Sequence, residues 1–245
     1  MQLRMRLTRG AHVVLPLVLW GAVAAMACGG DRVRSTTPVA GQEPPLAIRF
    51  GAGPELNGEG PRIVVLGDSL TGGLGLAPEE AFPARLQAVL REAGYPHEIV
   101  NAGVSGDTTA GGLRRLEWSL DGDVRVLVVA LGANDGLRGL AVAEMKVNLA
   151  EIIRGAQARG VRVLLTGMEA PPNLGLAYTT EFRDAFRELA DVYDVAFVPF
   201  LLNGVAGHAE LNQSDGIHPN NKGAAMVADL VWSILESVLE EDATS

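Results

Sequence analysis

The stretch Arg62-Ile-Val-Val-Leu-Gly-Asp-Ser-Leu70 joins a short apolar run to a tight polar turn, and this junction decides the fold. Similar apolar runs recur further along the chain and alternate with amphipathic segments. That alternation is typical of a parallel sheet covered by helices on both faces. We therefore predict an α/β protein, a three-layer α/β/α sandwich around a central, mostly parallel five-stranded sheet.

The predicted elements follow from the same pattern. Strands are predicted at residues 62–66, 97–101, 124–131, 161–166 and 195–198. Helices are predicted at residues 78–93, 109–120, 142–159, 179–192 and 222–239. The domain that they form is predicted to span residues 61–240, with a C-terminal tail at 241–245.

Polar and Gly-rich segments come directly after the first three predicted strands, at residues 67–70, 103–107 and 132–135. A fourth polar cluster, residues 215–219, precedes the last predicted helix. Ligand sites of open parallel sheets lie at the carboxyl ends of the strands. We therefore expect these four loops to converge on one edge of the sheet.

Ser69 is the natural nucleophile in these loops, because it lies in the tight turn after the first strand. A serine hydroxyl needs a neighbouring base, and that base needs a third group to orient it. His97 begins a strand and lies away from this edge, whereas the position of His208 in a loop leaves it a candidate. His218 is preferred as the base because Asp215, three residues earlier, suits the orienting role.

Attack on an ester also requires donors for the negative charge that develops on the carbonyl oxygen. The backbone N–H groups of Ser69 and Gly106 and the side-chain amide of Asn134 come from three different strand ends. All three can point at one oxygen. They are therefore candidates for an oxyanion hole.

Four ordered motifs carry a family resemblance: Gly67-Asp-Ser-Leu70, Gly106, Gly132-Ala-Asn-Asp135 and Asp215-Gly-Ile-His218. Together they resemble the four blocks of the SGNH (GDSL) hydrolase superfamily. The residues around them resemble its arylesterase, multifunctional acyl-CoA thioesterase I and lysophospholipase branch. The resemblance covers about residues 61–240.

This resemblance implies a flavodoxin-like fold and a site in which Ser69 is the nucleophile, His218 the base and Asp215 its orienting group. It also implies that Ser69, Gly106 and Asn134 form the oxyanion hole, and that no metal or organic cofactor takes part. The loop at residues 168–176 is then expected to adjust to the acyl chain. Its Pro172, Asn173 and Leu174 are predicted to bind substrate, and residues 201–211 are predicted to form the opposite wall.

The predicted function is hydrolysis of acyl or aryl carboxylic esters through an acyl-enzyme, with thioesters and lysophospholipids as further substrate classes. The residues leave two alternatives open. One is a carbohydrate O-deacetylase of the same fold, and the other is a non-catalytic lipoprotein that binds an acyl ligand. An α/β-hydrolase is disfavoured, since Gly67-Asp-Ser-Leu-Thr71 does not match the G-x-S-x-G elbow.

The N-terminal segment has the pattern of an export signal, with Arg4, Arg6 and Arg9 before an uncharged apolar stretch that reaches Cys28. Three interpretations are open. Ala25-Met-Ala27 fits ordinary cleavage, while Cys28 after a small residue resembles a bacterial lipobox that has Ala25 in place of the usual Leu. An uncleaved anchor is disfavoured by His12 and Pro16. We predict a lipoprotein signal at residues 1–28, because the chain's single cysteine lies where lipidation requires it.

The net charge and the cysteine content limit the kinds of partner and of structural site that the protein can have. Residues 1–28 carry three Arg and no acid, so the chain of 20 basic and 29 acidic residues becomes 17 against 29, or −12, without them. Such acidity disfavours nucleic-acid binding, and a lone cysteine excludes intrachain disulfides and Cys-rich zinc sites. Residues 29–60 are rich in Gly and Pro and are predicted to form a flexible tether. We expect the protein to be a monomer. We also expect it to face the periplasm or to be attached to the outer membrane. Without the lipid it would be soluble in the periplasm or secreted.

Overall fold

The computed structural model describes residues 60–243. The predicted signal peptide with Cys28 and residues 29–59 of the predicted tether lie outside these residues.

The sheet of residues 60–243 has five strands, and every neighbouring pair is parallel. The strands are β1 (Arg62–Gly67), β2 (Glu98–Gly103), β3 (Val124–Ala130), β4 (Arg162–Thr166) and β5 (Ala196–Val198). They lie in the order β2-β1-β3-β4-β5, which is the order of flavodoxin-like folds. The order of the strands reverses at β1, because β2 lies on one side of β1 and β3 lies on the other. In folds of this type, such a switch point opens a crevice at the carboxyl ends of β1 and β3.

The α-helices of the same residues are α1 (Ser69–Gly72), α2 (Phe82–Glu92), α3 (Thr109–Arg114), α4 (Leu116–Ser119), α5 (Ala133–Leu137), α6 (Val142–Gln157), α7 (Leu176–Tyr193) and α8 (Asn221–Ala243). The long helices α2 and α8 pack together on one face of the sheet, and α6 contacts α3 and α7 on the other. These helical layers and the sheet confirm the predicted three-layer sandwich.

The core centres on β1 and β3, whose side chains are almost all buried. Ile63, Val65 and Leu66 in β1 and Val128 in β3 are completely inaccessible to solvent. Strands covered on both faces are continuous apolar runs rather than alternating ones. The rigid centre of the sheet therefore supports the two strand ends that carry the Gly67–Leu70 and Gly132–Asp135 segments.

All five predicted helices differ from the structure in their bounds, two of them by three residues or fewer at each end, at 142–159 (Val142–Gln157) and 179–192 (Leu176–Tyr193). The predicted helix at residues 78–93 is a single 3₁₀ turn at Pro78–Glu80 followed by α2. Ala81 between them is extended, and Pro83 in the first turn of α2 favours a helix that starts there rather than one that continues from upstream. The predicted helix at residues 109–120 is two short helices, interrupted at Arg115, whose φ of −107° and ψ of 7° are not helical.

The last helix is longer than predicted. It ends at Ala243, four residues after the predicted helix end at 239. Arg162 at the start of β4 makes ion pairs with Glu241 and Asp242, each at 3.1 Å. These contacts with a strand residue hold the last turn against the domain.

Candidate active site

Ser69 occupies the first position of α1, directly after β1. Gly67 makes the turn between them tight, because a Cβ there would collide with the side chain of Thr71. Asp68 is the N-cap of α1, and its Oδ1 accepts a hydrogen bond of 3.0 Å from the N–H of Leu70. A short capped helix at a buried strand end thus presents the Ser69 hydroxyl at the edge of the sheet.

Ser69, His218 and Asp215 form one chain of hydrogen bonds. The Ser69 Oγ lies 2.8 Å from the His218 Nε2, and the His218 Nδ1 lies 2.6 Å from the Asp215 Oδ2. A carboxylate only accepts hydrogen bonds, so Asp215 requires the proton of His218 on Nδ1. Nε2 is then left as an acceptor for the serine proton, which is the arrangement that a general base needs.

The loop that carries His218 is built from local hydrogen bonds. The Asp215 Oδ1 accepts from the backbone N–H groups of Ile217 at 2.9 Å and His218 at 3.0 Å. The Ile217 bond and the bonds with His218 lower the pKa of Asp215 to about 2. Gln213 attaches this loop to the segment after α1, because its side-chain amide donates to the Leu74 carbonyl at 2.7 Å.

The backbone N–H groups of Ser69 and Gly106 belong to the segments that follow β1 and β2 in the chain. Among residues 60–243, no hydrogen-bond acceptor is present for the N–H of Ser69 or of Gly106. Gly106 has a φ of +81°, which other residues rarely adopt, and its carbonyl accepts a hydrogen bond of 2.7 Å from Arg138. Both N–H groups are therefore available to a bound oxyanion.

Asn134 lies in the first turn of α5, after the carboxyl end of β3. Its Nδ2 donates to the Asp68 Oδ2 at 3.1 Å, which uses one of the two amide hydrogens. Asp68 is completely inaccessible to solvent. This burial raises the pKa of Asp68 to about 6, although the hydrogen bonds from Leu70 and Asn134 act in the opposite direction.

Arg115 is a functional candidate that the sequence analysis missed. Its guanidinium donates to the carbonyl oxygens of Ala102 and Gly67, both at 2.7 Å, and to the Asp107 carboxylate at 2.8 Å. These bonds join the carboxyl ends of β1 and β2, which carry the loops of Ser69 and Gly106. The sequence offered no signal for this role, since Arg115 appears there only as one polar residue in an amphipathic segment.

Asp135 has a structural position next to Asn134. It is buried and accepts hydrogen bonds from the N–H of Thr109 at 2.9 Å and from the Thr109 hydroxyl at 2.6 Å. Asn148 of α6 also donates to this hydroxyl, at 3.1 Å. Asp135 therefore ties α5 to the start of α3.

A narrow apolar slot opens beside Ser69 and His218, with room for about one water molecule as it stands. Its apolar lining includes Leu70, Leu74, Phe82, Leu201, Leu202 and Val227. The predicted wall at residues 201–211 thus contributes its first two residues. Pro172, Asn173 and Leu174 do not line this slot; they form a single 3₁₀ turn. A Cβ at Gly139, just after α5, would lie 3.5 Å from the Leu174 side chain, so this turn borders the Asn134 side of the site.

The other histidines of the described domain lie apart from this chain of hydrogen bonds. His97 precedes β2 at the opposite edge of the sheet, and His208 is exposed, with its Nδ1 3.5 Å from Glu210. Within residues 60–243, no group of three or more His, Cys, Asp and Glu side chains is arranged to hold a metal ion. No helix in that same range is both long enough and apolar enough to cross a bilayer.

Comparison with known proteins gives one family and several close relatives. Residues 65–226 match the model of the GDSL-like lipase/acylhydrolase family. The chain is 42% identical over 178 residues to esterase TesA of Pseudomonas aeruginosa, covering 72% of this chain and 89% of that protein. It is 33% identical over 181 residues to thioesterase 1/protease 1/lysophospholipase L1 of Escherichia coli, covering 74% of this chain and 86% of that protein.

Solved structures agree with these matches. The crystal structure of TesA superposes with a TM-score of 0.70 at 41% identity, covering 73% of this chain and 99% of that one. The family match over residues 65–226 contains Ser69, Asn134 and His218.

Proposed function

Because the chain belongs to the GDSL-like lipase/acylhydrolase family, we propose that its hydrolysis of esters is carried by Ser69, His218 and Asp215. The protein is a carboxylic ester hydrolase of the serine esterase type, like its relatives. The observation that carries the residue assignment is the continuous hydrogen bonding from the Ser69 hydroxyl through His218 to Asp215.

The reaction has two halves. The Ser69 Oγ attacks the ester carbonyl carbon as its proton passes to the His218 Nε2, and the resulting oxyanion takes hydrogen bonds from the N–H groups of Ser69 and Gly106 and from the Asn134 amide. His218 then returns the proton to the leaving oxygen as the bond from the acyl carbon to that oxygen breaks, which leaves an acyl-Ser69 ester. Water repeats the sequence and releases the acid.

We propose that the acyl chain lies in the apolar slot. Leu74 and Leu202 line the slot beside Ser69 and His218, so an acyl group bonded to the serine buries its methylenes there once these side chains move apart to admit it. Burial of each methylene contributes about 0.8 kcal/mol. Pro172, Asn173 and Leu174 are proposed to contact the substrate on the Asn134 side, because their turn borders the Gly139 segment after α5.

The slot can be tested with a series of p-nitrophenyl acetate, butyrate and octanoate. Leu74 is half exposed at the slot, so Leu74→Asp places a charge beside the chain with little effect on the core. We expect its kcat/KM to fall about tenfold for octanoate and to stay close to wild type for acetate. Equal losses on both esters would contradict the slot. Lysophosphatidylcholine, an acyl-CoA and an acetylated oligosaccharide in the same assay separate the substrate classes.

The residue assignment is tested with Ser69→Ala in the full chain. We expect hydrolysis of p-nitrophenyl butyrate to disappear while the thermal unfolding midpoint stays close to wild type, because within residues 60–243 the Ser69 hydroxyl bonds only to His218. Ser233→Ala is the matched control: this serine lies on α8 and donates to the Leu230 carbonyl. Activity that survives Ser69→Ala would refute the assignment.

We also propose that the protein is an exported, monomeric lipoprotein whose Cys28 carries the lipid. Its support is the sequence of residues 1–28 alone, a basic start, an apolar stretch and a small residue before the single cysteine. Mass spectrometry of the mature N-terminus, after expression in a bacterium with lipoprotein processing, tests it. A mature chain that begins at a lipid-modified Cys28 is the expected result, whereas an unmodified Cys28 or another start residue would refute the anchor.

A further inference from the structure

We propose that Asp68 is a positioning residue for ester hydrolysis, which holds the Asn134 amide so that its second N–H points at the oxyanion. This inference rests on the proposed function, in which Asn134 is an oxyanion donor. Asp68 itself touches neither the substrate nor the reacting atoms.

The geometry gives Asp68 two separate partners. Its Oδ1 accepts from the N–H of Leu70 at 3.0 Å, and its Oδ2 accepts from the Asn134 Nδ2 at 3.1 Å. The second bond joins residues 66 positions apart, at the ends of β1 and β3. No solvent reaches the Asp68 side chain, so water cannot substitute for either partner.

The chemistry of the two side chains makes this bond directional. The amide of Asn134 has nearly the same shape in its two flipped orientations, but only Nδ2 can donate. An ionised carboxylate only accepts, so Asp68 selects the orientation in which Nδ2 faces it. The second hydrogen on that nitrogen is then free for the oxyanion, whereas the flipped amide would present a carbonyl oxygen to a negative charge.

Neither asparagine nor serine at position 68 can accept from both the Leu70 N–H and the Asn134 amide. Asparagine at position 68 carries one acceptor and one donor, so it must give up either the Leu70 bond or the Asn134 bond. Serine keeps an acceptor for the Leu70 N–H, since serine is a favourable N-cap, but its side chain is too short to reach Asn134. Serine thus separates the capping of α1 from the orientation of Asn134.

The test measures kcat and KM for p-nitrophenyl butyrate in Asp68→Asn, Asp68→Ser, Asn134→Ala and Asp68→Asn/Asn134→Ala full-length proteins. Loss of one oxyanion donor lowers kcat about 10²–10³-fold, and we expect this for Asn134→Ala. Both Asp68 variants should lose about 10²-fold in kcat with KM within about threefold of wild type. The double variant should be no more than about threefold slower than Asn134→Ala, because both changes remove the same interaction.

A phenylboronic acid forms a tetrahedral adduct with an active serine. Its binding affinity is a second measurement, which a change in stability alone would not alter. We expect Asp68→Ser to weaken it about as much as it lowers kcat, with a thermal midpoint near wild type. Losses that multiply in the double variant, or an Asp68→Ser enzyme with wild-type kcat, would overturn the inference. If Asn134→Ala is fully active while Ser69→Ala is inactive, the esterase assignment survives and the role of Asp68 is refuted. If Ser69→Ala is active, the proposed function itself fails.

Discussion

The two sides of the active site are held in different ways. On the nucleophile side, the bonds from Arg115 to Gly67 and from Asp68 to Asn134 join residues 48 and 66 positions apart. On the base side, Asp215 bonds to Ile217 and His218, two and three positions away. The first side is a product of the fold, and the second is a loop that largely organises itself.

The carboxylates of the two sides differ in solvent exposure in the same way, although the His218 side chain is only 16% exposed. Asp68 is fully buried, and the side chains of Arg115 and Asp107 are 18% and 14% exposed. The Asp215 side chain is 45% exposed. Loss of Arg115, which joins two strand ends on the nucleophile side, should therefore alter stability and activity together, whereas changes on the base side should alter activity alone.

The largest expected effect is on the base side. His218→Ala removes the only base bonded to Ser69 among the described residues, and loss of such a base lowers kcat by about 10⁶-fold. The free energy of unfolding should stay within about 1 kcal/mol of wild type, as for a change at a site edge. Esterase assays and urea unfolding of the purified variant check both parts. Strong destabilisation would show that the loop of Asp215 and His218 contributes to the core, which would contradict the difference between the two sides.

A smaller activity loss is expected for Asp215→Asn, also on the base side. The variant keeps the shape of the side chain but favours the wrong tautomer of His218, an effect of about 10⁴-fold in kcat in enzymes with this triad. Steady-state kinetics with p-nitrophenyl butyrate measures it, and Asp194→Asn, on an αL residue that ends α7 far from the site, is the control. A loss under tenfold would remove Asp215 from the mechanism.

On the nucleophile side, Arg115→Met should affect stability and activity together. It removes three hydrogen bonds and leaves the Asp107 carboxylate, which is mostly buried, without its cation. We expect the free energy of unfolding to fall by about 3 kcal/mol, since loss of one partner of a buried ion pair is strongly destabilising. The kcat should fall as well, because the strand ends that carry Ser69 and Gly106 separate. A stable variant with low kcat, or an active variant with low stability, would contradict the expected joint loss of stability and activity.

The smallest effect is a pH dependence of stability that comes from Asp68. Burial raises the pKa of its carboxyl to about 6 in the folded protein, above the unfolded value of 3.8. Folding therefore favours the protonated form, and this stabilisation is present at low pH and is lost as the pH rises through 6.

Between pH 4.5 and pH 7.5, the difference in unfolding free energy between wild type and Asp68→Asn should change by about 2 kcal/mol, to the disadvantage of wild type at pH 7.5. Urea unfolding at both pH values measures it. A difference that stays constant with pH would show that Asp68 has no raised pKa. A buried charge that lowers stability at neutral pH fits a residue kept for catalysis rather than for folding.

The contrast between local and distant contacts also explains what could be predicted from the sequence. The sheet, its layers and the convergence of four loops follow from apolar runs and from motifs at strand ends, and the structure confirms them. The pairing of His218 with Asp215 was inferable because a spacing of three residues can be seen in a sequence. Arg115 and the bond from Asp68 to Asn134 were not inferable, because they depend on which strand ends become neighbours in the folded sheet.

The splitting of two predicted helices has a related cause. The periodicity of residues 109–120 indicates one helix, but Arg115 leaves helical geometry while its side chain bonds the ends of β1 and β2. Tertiary contacts of this kind override local propensity. The same contacts that made the sequence pattern misleading thus hold the nucleophile in place.

Covalent labelling of the nucleophile tests the central claim most directly. The full-length protein is treated with a fluorophosphonate, digested and analysed by peptide mass spectrometry, with His218→Ala as a parallel sample. The account predicts one phosphonylated peptide, modified on Ser69, with labelling strongly slowed in His218→Ala because the hydroxyl has lost its base. Modification of a different serine, or equal labelling of Ser69 in both proteins, would contradict it.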